Sequence, residues 1–193
     1  MKQRIRWGML YSSTINRAMR MRKISNAKYG DHNMLIYNDL NEFRRIYTYH
    51  AKKGLEENNE IVLISSAYET PDRVNSNLES SGVDVRKHSL DGSLIVVDAM
   101  RAYHTADVNG LLKLLESLQT RGQKDGKNGI MCFGDLGTFF LLHKTQELAD
   151  YESTIPKKVQ MRSRAFCCYH KANFDALHIQ QKQKLLEAHL RVL

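Results

Sequence analysis

The chain has 193 residues, with 29 Lys plus Arg, 21 Asp plus Glu and a formal net charge of +8. This length suits one domain with a sizeable core. Its apolar runs are far too short to cross a bilayer, and the N-terminus lacks the continuous apolar segment of a secretory signal. Three cysteines, two of them adjacent, argue against a disulfide scaffold. We therefore expect a cytoplasmic protein that has no membrane partner.

The first 28 residues carry the whole net charge, because they contain eight Lys and Arg and no Asp or Glu. We divide the chain into a basic N-terminal arm, 1–28, and a formally neutral body, 29–193. A basic segment without acids attracts polyanions, so we expect the arm to bind nucleic acid or another polyanion. The alternative is an arm that packs on the body or on a neighbouring copy. The candidate nucleic-acid-binding residues are Arg4, Arg6, Arg17, Arg20, Arg22 and Lys23.

Five short apolar runs, each of strand length, recur along the body. Longer segments with a helical spacing of apolar residues lie between them. Three of these segments begin with a residue that we expect to cap a helix: Asp39, Thr70 (followed by Pro71 at the first helical position) and Asp107. The predicted strands are Asn33–Tyr37, Ile61–Ser65, Leu94–Asp98, Ile130–Gly134 and Ala165–His170.

The alternation of strands and helices predicts an α/β fold with a mostly parallel central sheet and helices on both faces. One segment departs from this pattern. Val85–Leu90 and Ser93–Val97 flank Asp91-Gly92, which is a typical hairpin turn. We therefore expect one antiparallel edge strand in an otherwise parallel sheet.

Polar and aromatic residues follow the predicted strands directly. In an open α/β sheet, ligands bind in the crevice beyond the carboxyl ends of the strands, so these residues are candidates for a binding site. They offer carboxylates, hydroxyls and rings with few formal cations, which suits a neutral or weakly polar ligand. For Asp98 a purely structural role is an equal alternative. The candidates are Tyr37, Glu69, Asp98, Asp135, Tyr169 and His170.

Two adjacent cysteines close to a histidine raise the question of a metal site. Strand alternation sends Cys168 and His170 to one face and Cys167 and Tyr169 to the other. At most two of these four side chains can therefore share a site, and no Cys-x-x-Cys or His-x-x-x-His completes it. We expect no metal, with the cysteines acting as small apolar core residues.

Nucleotide-binding loops are missing from the sequence. It has neither the G-x-x-x-x-G-K-[ST] nor the G-x-G-x-x-G pattern, and Gly126-Lys127 is followed by Asn128 in a polar loop. Nothing replaces the phosphate-binding lysine. We therefore predict no ATP or GTP hydrolysis, no cofactor and no enzymatic activity.

Short motifs recur in a specific order along the body: His32–Tyr37, Tyr68–Pro71, Gly92–Ala99, Phe133–Gly137 and Phe166–His170, with Tyr151-Glu152 and a closing helix that ends in His189. This order resembles the MEDS family, the sensory domain of methanogens, methylotrophs and the DcmR regulator. The resemblance covers roughly residues 31 to 190.

The MEDS resemblance implies a RecA/KaiC-like three-layer core without its Walker loop, in an archaeal or bacterial protein. It also implies sensing of a small molecule such as a hydrocarbon derivative, often beside DNA-binding or signalling domains. The arm of 28 residues is too short for a full helix-turn-helix domain. By resemblance, the ligand-binding residues are His32, Tyr37, Glu69, Asp98, Asp135, Tyr169 and His170.

Three classes of function follow from these observations. The first is a non-catalytic sensory module that binds a small molecule and acts in signalling or transcriptional regulation. The second is a nucleic-acid-associated regulator that contacts phosphates through the arm. The third is a degenerate nucleotide-binding, ATPase-like protein that keeps acidic residues such as Asp98 and Asp135. Because a module without chemistry must act through conformation or association, a homodimer or a signalling partner protein is also expected.

Overall fold

A parallel six-stranded sheet forms the centre of the fold in the computed structural model, which describes residues 18–106 and 110–193. The strands run in the order β3-β2-β4-β5-β1-β6, and every strand pair in the described residues is parallel. The five predicted strands are confirmed, and the short β6 is an addition. The strands are β1 (His32–Tyr37), β2 (Ile61–Ser66), β3 (Leu94–Asp98), β4 (Ile130–Asp135), β5 (Ser163–His170) and β6 (Arg191–Val192).

Helices cover both faces of this sheet and carry the predicted caps. Asp39 accepts a hydrogen bond from the Glu42 backbone N–H, and Thr70 accepts one from Arg73. Asp107 lies outside the described residues. The helices are α1 (residues 18–25), α2 (Leu40–Lys52, continued by the π-helical turn Lys53–Glu57), α3 (Pro71–Ser80), α4 (Val85–Leu90), α5 (Ala99–Ala106), α6 (Gly110–Lys124), α7 (Gly137–Leu141), α8 (Thr145–Thr154), α9 (Lys171–Ala176) and α10 (Ile179–Ala188).

The predicted hairpin at residues 85–97 is wrong. Val85–Leu90 forms α4, and β3 pairs in parallel with β2 instead of with a neighbouring hairpin strand. The side chain of Asp84 caps α4, and Val85 and His88, three residues apart, are both buried on one helical face. Gly92, at a φ of +71°, provides the turn that leads from this helix into β3.

Successive strand residues point to opposite faces of the sheet, which gives two apolar layers. On the α2 face, Leu35 and Phe133 belong to one core cluster with Phe43 of α2. On the α8 face, Met34 and Leu148 belong to a second cluster. The near-continuous apolar character of the strands follows from this burial on both sides, as in a three-layer α/β fold.

The described part of the basic arm packs against the body. Ile24 of α1 is fully buried in the cluster on the α2 face. Arg20 lies 2.7 Å from the carboxylate of Glu42 and donates a hydrogen bond to the carbonyl of Leu193. Arg22 and Lys23, by contrast, are exposed.

None of the described helices is both long and apolar enough to cross a membrane.

Candidate functional site

The strands β2 and β4 are neighbours in the sheet, but the helices that follow them lie on opposite faces. After β2 it continues into α3, which packs in the cluster of the α2 face, and after β4 it continues into α7, which packs in the cluster of the α8 face. The helices diverge from the sheet edge at such a point and leave a crevice beyond the carboxyl ends of the strands. The topology therefore places a crevice beside Ser65 and Asp135.

A cavity of about 260 Å³ opens at this crevice. Its walls come from the ends of β2, β3 and β4 and from α5, α6, α7 and α8, and most of its lining side chains are apolar. The aromatic rings of Tyr103, Phe139 and Tyr151 line it together with Val97 and Leu114. Such a chamber accommodates a small and largely apolar molecule.

The polar groups of the cavity are few. Thr138, at the start of α7, is buried, and its Oγ1 has no hydrogen-bond partner among the described residues. Ser65 and Asp135 line the same cavity. A buried hydroxyl without a partner is costly, and a bound molecule with a hydrogen-bonding group would satisfy it.

Asp135 is held by three donors at the end of β4. Its Oδ1 accepts hydrogen bonds from the Gly137 N–H at 3.0 Å and from the Tyr37 hydroxyl at 3.4 Å, and its Oδ2 accepts one from the Ala67 N–H at 3.3 Å. Burial nevertheless outweighs these donors and raises the pKa of Asp135 to about 7. This carboxyl can therefore change its protonation near neutral pH.

Two further predicted site residues lie near Asp135 without lining the cavity: Tyr37 contacts it directly, and His170 contacts Tyr37. Tyr37 stacks on Phe43, and burial, followed by the charge of Asp135, raises the pKa of its hydroxyl far above the usual value. His170 packs edge-on against Tyr37 with ring centroids 5.4 Å apart. Its Nδ1 also accepts a hydrogen bond from the Ala172 N–H, so it caps α9.

Gly137 lets α7 begin close to the neighbouring loop. A Cβ at this position would collide with the ring of Tyr68, whose hydroxyl accepts a hydrogen bond from Asn173. The Gly134–Gly137 segment is therefore a tight strand-to-helix turn beside the cavity.

Glu69 and Asp98 lie away from this group. Glu69 is buried between α2 and α3, where Arg44 Nε lies 2.8 Å from Oε1 and Asn77 donates to the same oxygen at 3.1 Å. Asp98 accepts a hydrogen bond from the Arg101 N–H at 2.9 Å and caps α5. Of the seven predicted residues, the structure brings Tyr37, Asp135 and His170 together and gives these two other carboxylates structural partners.

The remaining two predicted residues, His32 and Tyr169, lie on the α8 face, beside His189. Tyr169 packs edge-on against His189, with ring centroids 6.2 Å apart. His32 Nε2 lies 3.3 Å from Glu152 Oε2 and 3.2 Å from Cys167 Sγ. The Nε2 of His189 approaches the same Glu152 oxygen to 3.0 Å.

This buried cluster, formed by His32, Glu152, Cys167 and His189, was not predicted. The motif series included all four residues, but neither periodicity nor spacing indicates that a helix residue and a C-terminal residue meet on the β1–β5 pair. Burial raises the pKa of Glu152, but the neighbouring imidazoles of His189 and His32 outweigh it and hold the pKa at about 2. Burial, followed by the charge of Glu152, raises the pKa of the Cys167 thiol well above its usual value.

Together, the parallel sheet and the helices on its two faces define an α/β domain with an apolar cavity at the β2–β4 pair. The sequence comparison gives the family. The chain belongs to the MEDS family, because the model of the MEthanogen/methylotroph, DcmR Sensory domain matches residues 31–186. This confirms the resemblance seen in the motifs and assigns the chain to a family of sensory domains. No curated protein matches the chain.

Proposed function

We propose that this sensory domain binds a small, largely apolar molecule with one hydrogen-bonding group in the cavity beside Asp135. The unpartnered Thr138 hydroxyl within an apolar chamber carries this proposal. The aromatic walls would remove the apolar part of the ligand from water, and Thr138 would bind its hydroxyl, carbonyl or amide group. Short alcohols, ketones and other hydrocarbon derivatives have this chemistry.

Asp135 would contribute to selection. In its protonated form it can donate a hydrogen bond, and in its ionised form it can only accept one. Because its pKa is about 7, ligands that accept a hydrogen bond from it should bind better in mildly acidic solution. A phosphate-bearing ligand fits poorly, since an ionised Asp135 would repel it.

The proposed readout is conformational. The cavity is lined by α5, α6 and α7, so a bound molecule would contact all three helices and fix their relative positions. Exposed apolar side chains on neighbouring surfaces, Leu141 of α7 and Ile179 and Leu186 of α10, are candidate contacts for a second copy or a signalling partner. The signal would thus pass by association and without catalysis.

The test is a thermal-shift and calorimetric screen of short-chain alcohols, ketones, amides and halogenated hydrocarbons. Thr138→Val removes the free hydroxyl and keeps the shape, so it should weaken binding of an alcohol roughly tenfold, the loss of about one hydrogen bond. Thr48→Val is the matched control, because Thr48 is also buried but donates to the carbonyl of Arg44 outside the cavity.

Ala102→Phe provides a second test, because it fills the cavity from α5. It should abolish binding of every ligand found while the protein keeps its fold by circular dichroism. Binding that survives in Ala102→Phe would place the ligand elsewhere and contradict the proposal. Phosphate release from ATP or GTP by the purified protein with magnesium would contradict the non-catalytic part.

Polyanion binding by the arm is the second candidate function. The exposure of Arg22 and Lys23 on one helix favours it. Arg20, in contrast, is engaged by Glu42 and by backbone carbonyls of the body. The other three candidates, Arg4, Arg6 and Arg17, lie outside the described residues.

A further inference from the structure

The buried cluster of His32, Glu152, Cys167 and His189 lies on the α8 face, apart from Asp135 and Thr138. We propose that it is a binding site for one divalent transition-metal ion of the zinc class, held by the two imidazoles, the carboxylate and the thiolate. This inference goes beyond the proposed sensing of a small molecule and does not depend on it.

Geometry gives the first support. One ligand atom from each of the four residues lies within 4.8 Å of every other. Around a tetrahedral zinc ion, bonds of about 2.0–2.3 Å separate neighbouring ligand atoms by roughly 3.3–3.8 Å. The separations of 3.0, 3.2 and 3.3 Å between three neighbouring pairs are already close to that range. The remaining pairs lie within 4.8 Å, so side-chain movements of up to about 1 Å would complete a tetrahedron.

The unsatisfied atoms of the cluster give the second support. Glu152 is fully buried, and neither carboxylate oxygen has a hydrogen-bond partner of acceptable geometry among the described residues. The Nε2 of His189 is close to this carboxylate but is also without a hydrogen bond. Apart from the hydrogen bond between His32 and Cys167, these atoms crowd one point without bonding to each other, as ligands around a common cation do.

The orientation of His189 gives the third support. Its Nδ1 lies 2.6 Å from the carbonyl oxygen of Leu185, which can only accept a hydrogen bond. Nδ1 therefore carries a proton, so Nε2 is the nitrogen whose lone pair would face a metal ion in the cluster. A histidine that binds a metal is typically held in this way by a backbone carbonyl or carboxylate.

The fold holds the four residues on separate and well-anchored elements. His32 and Cys167 come from the paired strands β1 and β5, and Glu152 comes from α8. His189 follows α10, and the next residue, Leu190, donates a backbone hydrogen bond to the carbonyl of His32 at 2.8 Å. A metal ion would therefore also fasten the C-terminal segment to the centre of the sheet.

The donor set selects the class of ion. Thiolate and imidazole ligands favour zinc and similar borderline ions, whereas magnesium and calcium require oxygen ligands. Binding would release the Cys167 proton, because only the thiolate is a good ligand. A small cavity of about 50 Å³, lined by His32, Glu152 and Cys167, adjoins the cluster and shares Gly134 and Tyr151 with the lining of the larger cavity.

The experiment uses Co²⁺ as a spectroscopic probe of the full chain, prepared with a chelator under reducing, anaerobic conditions. One equivalent of Co²⁺ should give the intense visible bands of tetrahedral cobalt and a thiolate-to-cobalt charge-transfer band in the near ultraviolet. Zn²⁺ should displace it and raise the melting temperature, because a ligand that binds only the native state stabilises it.

Cys167→Ser should abolish the charge-transfer band. Cys168→Ser is the matched control: this neighbouring residue is also buried but belongs to the cluster of the α2 face, and the variant should keep the band. Glu152→Gln and His189→Ala should each weaken metal binding by at least tenfold, since even partners that only orient a ligand are worth about 10–100-fold. Circular dichroism identifies any variant that fails to fold. If His189→Ala is unfolded, His189→Gln replaces it.

Two results would overturn the metal site. The first is a folded wild-type protein that takes up neither Co²⁺ nor Zn²⁺ in stoichiometric amount. The second is a thiolate-to-cobalt charge-transfer band that is still present when Co²⁺ is added to the Cys167→Ser variant. Ligand binding in the larger cavity is measured independently with Thr138→Val, so failure of one proposal is distinguishable from failure of the other.

Discussion

The Tyr37 hydroxyl donates a hydrogen bond to Asp135 across the end of β5, and so it joins the carboxyl ends of two strands that are not neighbours in the sheet. Asp135 accepts a further bond from the backbone of Ala67, which follows β2. One carboxyl group thus ties together the ends of β1, β2 and β4 at the edge of the cavity. The protonation state of this carboxyl should influence both stability and ligand binding.

Asp135→Asn should remove a specific part of the pH dependence of stability. The pKa of Asp135 is raised from 3.8 to about 7 in the folded protein. Its contribution to the free energy of unfolding is therefore fully present below pH 4 and is lost as the pH rises to about 7. Between pH 4 and pH 7 the free energy of unfolding of the wild type should fall by roughly 2–4 kcal/mol relative to that of Asp135→Asn, because a shift of one pKa unit corresponds to about 1.36 kcal/mol. Urea unfolding at several pH values measures it, and parallel curves for the two proteins would contradict it.

His50→Leu should protect the protein from acid. Burial, followed by the charges of Arg164 and Lys53, lowers the pKa of His50 to about 3. Its stabilising contribution is therefore complete above pH 6.5 and is lost as the pH falls toward 3, because the unfolded state binds the proton first. Neither ring nitrogen has a hydrogen-bond partner among the described residues, so leucine should cost little at pH 7.

The measurement for His50→Leu is the free energy of unfolding from pH 7 to pH 4, with the exposed His104→Gln as control. The gain of the leucine variant over the wild type should grow steadily as the pH falls. An equal gain in the control, or no gain below pH 6, would show that His50 does not carry the acid sensitivity.

Features that depend on local pattern were predictable. The five long strands are continuous apolar runs because both faces of the sheet are buried, and Tyr37 and Asp135 meet because each ends a strand at the same edge. The position of Glu69 after a strand did not predict its role correctly, because Arg44 of α2 and Asn77 of α3 bind its carboxylate away from the cavity. Which partner a polar side chain finds depends on helix packing, which the strand pattern does not contain.

The buried cluster shows the same limit more clearly. Alternation along β5 correctly separates Cys167 from Cys168. That separation, together with the lack of a Cys-x-x-Cys or His-x-x-x-His motif, argued against a metal site. The missing ligands come from distant parts of the chain, Glu152 on a helix and His189 after the last one. Their encounter depends on the strand order β5-β1-β6 and on how α8 lies on the sheet, and no spacing rule encodes either.

Glu60→Gln should destabilise the protein strongly. Glu60 is fully buried, and Arg164, itself almost fully buried, donates from Nε to Oε1 at 3.0 Å and from Nη2 to Oε2. Removing one partner leaves the other charge buried and unpaired, which costs about 3–5 kcal/mol. Asp175→Asn is the control, because its pair with Lys171 is exposed and is worth less than about 1 kcal/mol. Chemical unfolding that finds equal small losses in both variants would contradict this prediction.

Ile24→Ala should destabilise the body although Ile24 belongs to the basic arm. Its side chain is fully buried against the core of the α2 face, and truncating a buried isoleucine costs about 2–5 kcal/mol. Met19→Ala, on the exposed side of the same helix, should change stability by less than about 0.5 kcal/mol. Chemical unfolding of both variants measures the difference, and equal stabilities would mean that α1 is not docked in solution.

Deleting the whole arm would remove Ile24 as well, so deletion is a poor probe of the arm's charge.

Arg22→Gln/Lys23→Gln should therefore test polyanion binding without disturbing the core, because both side chains are exposed. If they contact phosphates, the double variant should bind duplex DNA more weakly and reduce the slope of log affinity against log salt by about 2, near 0.9 per phosphate contact. Arg45→Gln/Lys87→Gln, two exposed cations of the body, is the matched control and should leave the slope unchanged. Equal slopes for the wild type and both variants, measured at several salt concentrations with DNA and RNA, would exclude this face of α1 as the contact.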